Sequence, residues 1–232
     1  MKNFIKIKIK KFLNSKGWKL TKIYKNTTYT NQKPDLKLLE VIHACTGIIH
    51  LGGHRGTEAS VYDWFNKKTI WIEANPKIYI DLSLNISQYI NQIAFNHLIS
   101  NKDDQEKDFF ISNNDRASSS IFQFGKSGEN LKMVKKEKLK TITLDTLLKN
   151  HSIDAKEYNF WVIDLQGSEY LALEGAKNSL KYCQSILIEI SQDEYYVNGA
   201  KWKNIKKFLN ENKFYNYIEP TSSHQDVLFL KK

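Results

Sequence analysis

Cysteine is almost absent from this 232-residue chain: Cys45 and Cys183 stand far apart, each in apolar surroundings. Two such residues exclude a disulfide framework and a cysteine metal site, and read as small reduced core residues of a cytoplasmic protein. Long hydrophobic runs are missing as well. No stretch reaches the roughly 18 apolar residues of a membrane span, and the lysine-studded start lacks the apolar core of a secretory signal. Low-complexity tracts and internal repeats are absent, which sets a solenoid aside. What is present, 41% hydrophobic and 12% aromatic residues, suffices for one large core.

Acidic residues are missing from one region. Residues 1–34 hold ten lysines and no Asp or Glu, so removing those ten from the 35 basic residues leaves 25 against 25 acids. The net charge of +10 therefore belongs to the arm, and everything from Asp35 onward is formally neutral. A groove that tracks phosphates spreads charge over the catalytic face, so no nucleic-acid partner is expected. We divide the chain into a basic arm over 1–40 and a catalytic-size domain over 41–232. In the arm, Phe4, Ile5, Ile9, Phe12 and Leu13 fall near helical spacing among lysines. That pattern suits a solvated docking arm, or a peripheral contact of residues 1–25 with the inner face of a membrane.

From Val41 onward apolar runs alternate with helical stretches. Gly47 to Leu51 reads as a strand, Gly52 to Gly56 as a tight turn, and Thr57 to Phe65 as a helix with Val61, Trp64 and Phe65 on its apolar side. Thr69 to Ile72 is a second strand, and Pro76 opens a helix through Ile80, Leu82 and Leu84. A third strand is expected over Ile93 to Ile99. Asp108 to Ser112 and Ser118 to Phe124 read as short extended pieces, Leu131 to Lys140 as a charged connector, and Thr141 to Leu148 as a turn or short strand entering a helix. Phe160 to Asp164 and Ser185 to Ile190 are the fourth and fifth main strands, and Trp202 to Asn212 is an amphipathic helix. Phe214 to Ile218 and Val227 to Leu230 close the chain as a hairpin whose connecting loop carries His224 and Asp226. Such alternation predicts an α/β, doubly wound, mostly parallel sheet with an antiparallel C-terminal hairpin strand.

The most informative stretch runs from Asp164 to Ala176. The continuous apolar run Phe160-Trp161-Val162-Ile163 marks a strand covered on both faces, and Leu171, Leu173, Ala176 and Leu180 suit a helix packed on the sheet. Ligands of open α/β sheets bind beyond the carboxyl ends of the strands, which is where Asp164 falls.

The turn Gly52-Gly53-His54-Arg55-Gly56-Thr57-Glu58 joins a strand to a helix, so its glycines let a ligand approach the backbone. It does not fit G-x-G-x-x-G, because His54 stands where the second glycine belongs, and the P-loop lysine is missing. Glu73 at the tip of the next strand suits a ribose diol. A glycine turn with a ribose-holding acid but no pyrophosphate cradle favours a phosphate-free adenosine ligand, S-adenosylmethionine.

Five motifs, Gly52-Gly53-His54-Arg55-Gly56, Glu73-Ala74-Asn75-Pro76, Ser118-Ser119-Ser120, Thr143-Leu144-Asp145 and Asp164-Leu165-Gln166-Gly167-Ser168-Glu169, stand in a fixed order over residues 47–230. In order and spacing the chain resembles the FkbM-type S-adenosylmethionine-dependent methyltransferases. The resemblance implies a Rossmann-like class I methyltransferase fold with a seven-stranded sheet and O-methylation of sugar or polyketide-type hydroxyls, such as those of bacterial surface polysaccharide precursors. Carried over by position, Gly52, Gly53 and Gly56 would line the methionine side of the cofactor, with His54 and Glu58 of the same turn beside it. Glu73, followed by Ala74 and Asn75, would hold the ribose, Asn96 to Ser100 the adenine edge, and Asp164 would lie by the sulfonium with Gln166 next to it. Many relatives have Asn in place of His54 and Glu in place of Gln166, and the amide removes a charge beside Asp164.

Methyl transfer to a hydroxyl needs alignment, exclusion of water and an acceptor for one proton. Asp164 is the first candidate base, Glu189 the second and His224 the third; a structural acid capping the following helix is the competing role for Asp164. Arg55, Ser119, Ser120, Glu169, Tyr195, Tyr196 and Asp226 are the candidate acceptor-binding residues, the tyrosines because aromatic faces pack on sugar rings. His50 reads as a core histidine with a hydrogen-bond partner. No metal is expected, although Asp164 with Glu189 or Asp226 offers the oxygen donors that magnesium takes. Three other readings stay open: a non-catalytic adenosine-binding module and, more remotely, a nucleotide-dependent oxidoreductase or an RNA methyltransferase.

Overall fold

The computed structural model describes residues 35–128 and 130–232; the amphipathic stretch of the basic arm, and the membrane contact expected of it, lie outside the described residues. The helices are α1 (Leu36–Ala44), α2 (Ala59–Trp64), α3 (Pro76–Ile86), α4 (Leu144–Asn150), α5 (Glu169–Glu174), α6 (Lys177–Leu180) and α7 (Trp202–Glu211). The strands are β1 (Gly47–Leu51), β2 (Lys68–Glu73), β3 (Gln92–Asn96), β4 (Leu98–Ile99), β5 (Glu106–Ser112), β6 (Met133–Ile142), β7 (Phe160–Ile163), β8 (Ser185–Ser191), β9 (Phe214–Asn216) and β10 (His224–Lys231). Among the described residues no helix is long and apolar enough to cross a membrane.

Seven strands form the main sheet in the order β3-β2-β1-β7-β8-β10-β9. β1 pairs in parallel with β2 and β7, β2 with β3 and β7 with β8, whereas β10 runs antiparallel to β8 and β9. This is the mostly parallel, doubly wound α/β sheet with one antiparallel C-terminal strand that the sequence implied. Its central strands are buried from end to end because helices cover both faces. Alternation sorts their side chains. Ile48, Trp71 and Phe160 pack with α1, α2 and α3 on one face, and Ile49, Trp161 and Ile186 pack with α4 to α7 on the other. The chain order reverses its direction of growth between β1 and β7, so a crevice opens at their carboxyl ends.

Local chemistry starts the helices that flank this crevice. Asn75 caps α3 by accepting from the Lys77 and Ile78 amides, with Pro76 in the first helical position. Thr143 caps α4 in the same manner.

Several elements differ from expectation. The face of α2 that meets the sheet is Ala59 and Tyr62, while Trp64 is 85% exposed. Tyr62 goes inward because its hydroxyl finds His50 Nδ1 at 3.2 Å. On α3 the buried residues are Ile78, Leu82 and Ile86, and Ile80 and Leu84 face outward; apolar residues at every second position hide the helical period there. The third strand ends at Asn96, and Leu98–Ile99 joins a separate sheet of order β4-β6-β5. The expected connector over 131–140 is mostly β6, whose lysines face solvent and pair across the strand, Lys136 with Asp108 at 3.1 Å and Lys138 with Glu106 at 3.2 Å. His224 and Asp226 lie in β10 itself rather than in a loop, opposite Ser191 and Glu189 of β8.

Candidate active site

A cleft of about 240 Å³ opens at the carboxyl ends of β1, β2 and β7. Of the residues expected at a cofactor, Gly52, Gly53, His54, Glu58, Glu73, Ala74, Asp164 and Gln166 line it together. Ser119 lines it too. Gly56 and Asn75 do not: a Cβ on Gly56 would meet Leu82 at 2.8 Å, and the Asn75 side-chain oxygen is spent on capping α3.

The glycine turn is shaped by its own neighbours. Gly52 (φ +81°) and Gly56 (φ +68°) use the left-handed region, and a Cβ on Gly52 would sit 1.7 Å from the Asp164 carbonyl oxygen. A Cβ on Gly53 would meet the Trp71 ring at 2.8 Å. These contacts, rather than room for a ligand, require the glycines. The amides of Gly52 and Gly53 both donate to the Ile72 carbonyl, at 2.9 and 3.0 Å, and that of Gly56 to Gly53. Four amides of the turn, those of Gly52, Gly53, His54 and Gly56, are thus spent on the protein's own acceptors.

Glu73 ends β2 and is 8% exposed. Its Oε2 accepts from the His54 amide at 3.0 Å and its Oε1 from the Asn75 amide at 2.7 Å. Each oxygen keeps a lone pair, and burial pushes the carboxyl up to about 7. Glu58, Glu73 and Asp164 make the cleft rich in acid, which suits a ligand carrying positive charge and hydroxyls. At the far end, Leu98, Ile99, Phe109 and Ile121 form an apolar wall. Ser100 is outside that wall, 1% exposed and donating its amide to Ile142. Asn96 Nδ2 is spent on the Glu73 and Ala74 carbonyls at 2.8 and 3.1 Å.

At the other end Gln166 lines the cleft, and Ser120, Glu169, Glu189, Tyr195, Tyr196 and His224 gather behind it without lining it. The Gln166 backbone takes φ +53°, followed by Gly167 at φ +100°, and Glu169 Oε1 holds that bend by accepting from the Leu165 and Gly167 amides at 3.0 and 2.9 Å. Glu169 is 3% exposed and raised to about 7 by burial. Gln166 Nε2 donates to Asp164 Oδ1 and, at 2.9 Å, to Glu189 Oε2. Gln166 Oε1 accepts from the Tyr196 hydroxyl at 2.5 Å, and the Gln166 carbonyl accepts from Ser120 Oγ at 2.6 Å. Behind them, His224 Nε2 lies 3.0 Å from Glu189 Oε1, its Nδ1 2.9 Å from Ser191 Oγ, and Tyr195 stacks on its ring at 4.4 Å.

Oxygens of Asp164, Glu169 and Glu189 gather within 4.8 Å. Two full charges at that separation repel by about 3 kcal/mol at an effective dielectric near 20. Burial, and then the charge of Glu189, push Asp164 well above the usual carboxylate range; burial, and then the charge of Glu169, push Glu189 up to about 8. Three carboxylate oxygens are donors that a divalent cation takes; the Gln166 amide nitrogen contacts two of the three residues.

The remaining candidates fall elsewhere. Arg55 is occupied by the Asp115 carboxylate and, through Nε, by Asp81 at 3.1 Å. This pins the loop 113–119 onto the glycine turn. Asp226 does not line the cleft, but it lies opposite Glu189 in the sheet and its charge bears on Asp164 and Glu189. His50 is the core histidine expected, stacked on Trp71 at 4.5 Å and lowered to about 4 by burial. Sequence reasoning passed over Thr57, Phe109, Arg116 and Ser168, which also line the cleft. The available signal for Arg116 was rarity: Arg55 and Arg116 are the only arginines in the chain, and both lie at this turn and loop.

No curated protein matches the chain by sequence. Among solved structures, a TehB-like S-adenosylmethionine-dependent methyltransferase from Corynebacterium glutamicum is 9% identical, covering 100% of this chain and 97% of that one, with a TM-score of 0.46. TrmK of M. capricolum, in complex with S-adenosyl-homocysteine, is 12% identical over 85% of this chain and 67% of its own, with a TM-score of 0.45. Magnesium protoporphyrin IX methyltransferase from Synechocystis is 9% identical over 84% and 77%, with a TM-score of 0.43. The family model of the methyltransferase FkbM domain matches residues 50–218, well over half of the sequence. The chain belongs to the FkbM methyltransferase domain family.

Proposed function

We propose that the protein is an S-adenosylmethionine-dependent O-methyltransferase whose acceptor is a hydroxyl of a sugar, in a nucleotide sugar or a surface polysaccharide precursor. The observation that carries this reading is a pair of acids on either side of one cleft: Glu73, buried at the tip of β2 with lone pairs to spare, and Asp164, at the tip of β7 with raised basicity. The acid-rich lining and the absence of the G-x-G-x-x-G pattern favour a cationic, phosphate-free adenosine over a dinucleotide.

S-adenosylmethionine supplies a methyl group on a sulfonium: the acceptor oxygen bonds to carbon, the carbon–sulfur bond breaks with its electrons left on sulfur, and neutral S-adenosylhomocysteine departs. The protein's part is to bind, align and deprotonate. Glu73 takes the ribose hydroxyls, and Leu98, Ile99, Phe109 and Ile121 cover the adenine and exclude water. Asp164 receives the acceptor's proton, since a sugar hydroxyl is too weak an acid to lose it unaided. Tyr195 stacks on His224 behind the cleft and steadies that ring beside Glu189.

Calorimetry with S-adenosylhomocysteine, followed by a methyl-release assay over monosaccharide, nucleotide-sugar and glycan acceptors, tests the reading. Micromolar binding and turnover on a sugar support it. Binding without turnover on any acceptor would indicate a non-catalytic module instead.

A further inference from the structure

One amide nitrogen faces two carboxylates in this site. Gln166 Nε2 donates one hydrogen to Asp164 and the other to Glu189 at 2.9 Å. The orientation of that amide is not free, because its oxygen is held by the Tyr196 hydroxyl. A flipped amide would turn its oxygen toward both carboxylates and break three contacts at once. The backbone beneath is held just as firmly, by Ser120 on the Gln166 carbonyl and Glu169 on the flanking amides.

We propose that Gln166 is a positioning residue that locks Asp164 and Glu189 into a pair holding one proton between them, so that the pair, and not Asp164 alone, acts as the base. The inference rests on the methyltransferase reading for its role in turnover, though not for its existence. A neutral amide contributes two hydrogen bonds but no charge, so it cannot offset two full negative charges. The groups facing the pair add to the deficit: Glu169 on α5, Asp226 on β10 and Glu73 across the cleft are acids, and Tyr195 and Tyr196 are neutral. His224 on β10 contacts Glu189 at 3.0 Å and offers a route by which a proton can leave outward. During transfer the acceptor's proton enters at Asp164, and the resident proton leaves Glu189 through His224 Nε2, which returns the pair to a single proton.

Two measurements that need no acceptor test this. In the wild-type protein labelled with ¹³C at Asp and Glu carboxyls, the signals lost in Asp164→Asn and Glu189→Gln are expected to titrate in two steps, one of them at or above pH 7. Both carboxyls titrating below pH 5 would overturn the inference. Thermal melting of Gln166→Glu supplies the second. The new carboxyl, while protonated, keeps one of the amide's two donations, so melting should lie a little below wild type at pH 5, and the gap should widen by about 5 °C or more at pH 8. A gap that stays constant from pH 5 to pH 8 marks a purely steric role and sinks the proposal. If S-adenosylhomocysteine fails to bind while both results hold, the functional reading falls and the proton-sharing pair stands.

Discussion

The two acid centres of the cleft solve the same problem differently. At the tip of β2, Glu73 stands alone and is stabilised by two backbone amides, those of His54 and Asn75. At the tips of β7 and β8, Asp164 and Glu189 stand together and share one side-chain amide. Backbone donors barely move, which on the proposed reading suits a residue that grips a ribose at every step of turnover. A side-chain donor between two carboxyls leaves room for a proton to come and go, which suits a base. On the proposed reading, one end of the cleft binds the ribose and the other takes the proton.

The most severe break of that contrast is Asp164→Asn. It should lower methyl transfer by about 10²- to 10⁴-fold while S-adenosylhomocysteine affinity, read by calorimetry, changes far less. Glu73→Gln is its mirror image: the affinity should fall by about 10- to 100-fold, the range for a hydrogen bond to a charged group, with the turnover number at saturating cofactor much less affected. An equal loss of binding in both variants would erase the division of labour.

Next in size is the pH dependence of stability without ligand. Glu73 and Glu169 are raised to about 7 and Glu189 to about 8, all above the ordinary 4.5. Their folded forms hold protons more tightly than the unfolded chain, so their contribution is complete below about pH 4.5 and is lost as pH rises through 7 to 8. Melting temperature should therefore decline over that range, and Glu169→Gln should flatten the decline. A melting temperature that climbs from pH 5 to pH 8 would contradict the raised carboxyls. The smallest effect belongs to the loop latch. Asp115→Asn should move the melting temperature by no more than about 2 °C, because the Asp115 side chain is 68% exposed.

Legibility in the sequence followed burial. β1, β2, β7 and β8 were readable because strands covered on both faces are continuous apolar runs bounded by turn residues. β6 was not, because its lysines face solvent on a small sheet and their partners, Glu106 and Asp108, come from β5 some 30 residues earlier, a pairing no local window contains. The inward face of α2 was misread for a related reason. Trp64 is the stronger hydrophobe, but it is Tyr62 whose hydroxyl meets His50 in the core. At the site, Glu73 and Asp164 could be picked out as acids at strand ends. The role of Gln166 could not, since the sequence offers only an amide beside an acid, and its two further partners, Glu189 and Tyr196, are distant in the chain.

By itself the sequence determined the alternation of strands and helices, the family, and the acids at the strand tips, because each rests on residues close together in the chain. Only the tertiary structure decided that the glycines serve the turn's own packing against Asp164 and Trp71. It alone decided that Arg55 is tied into a latch and Glu169 into a loop clamp, and that two carboxyls from different strands meet across one amide. Those outcomes depend on distances between segments, and a hydrogen bond or a charge repulsion exists only once folding has set the separation.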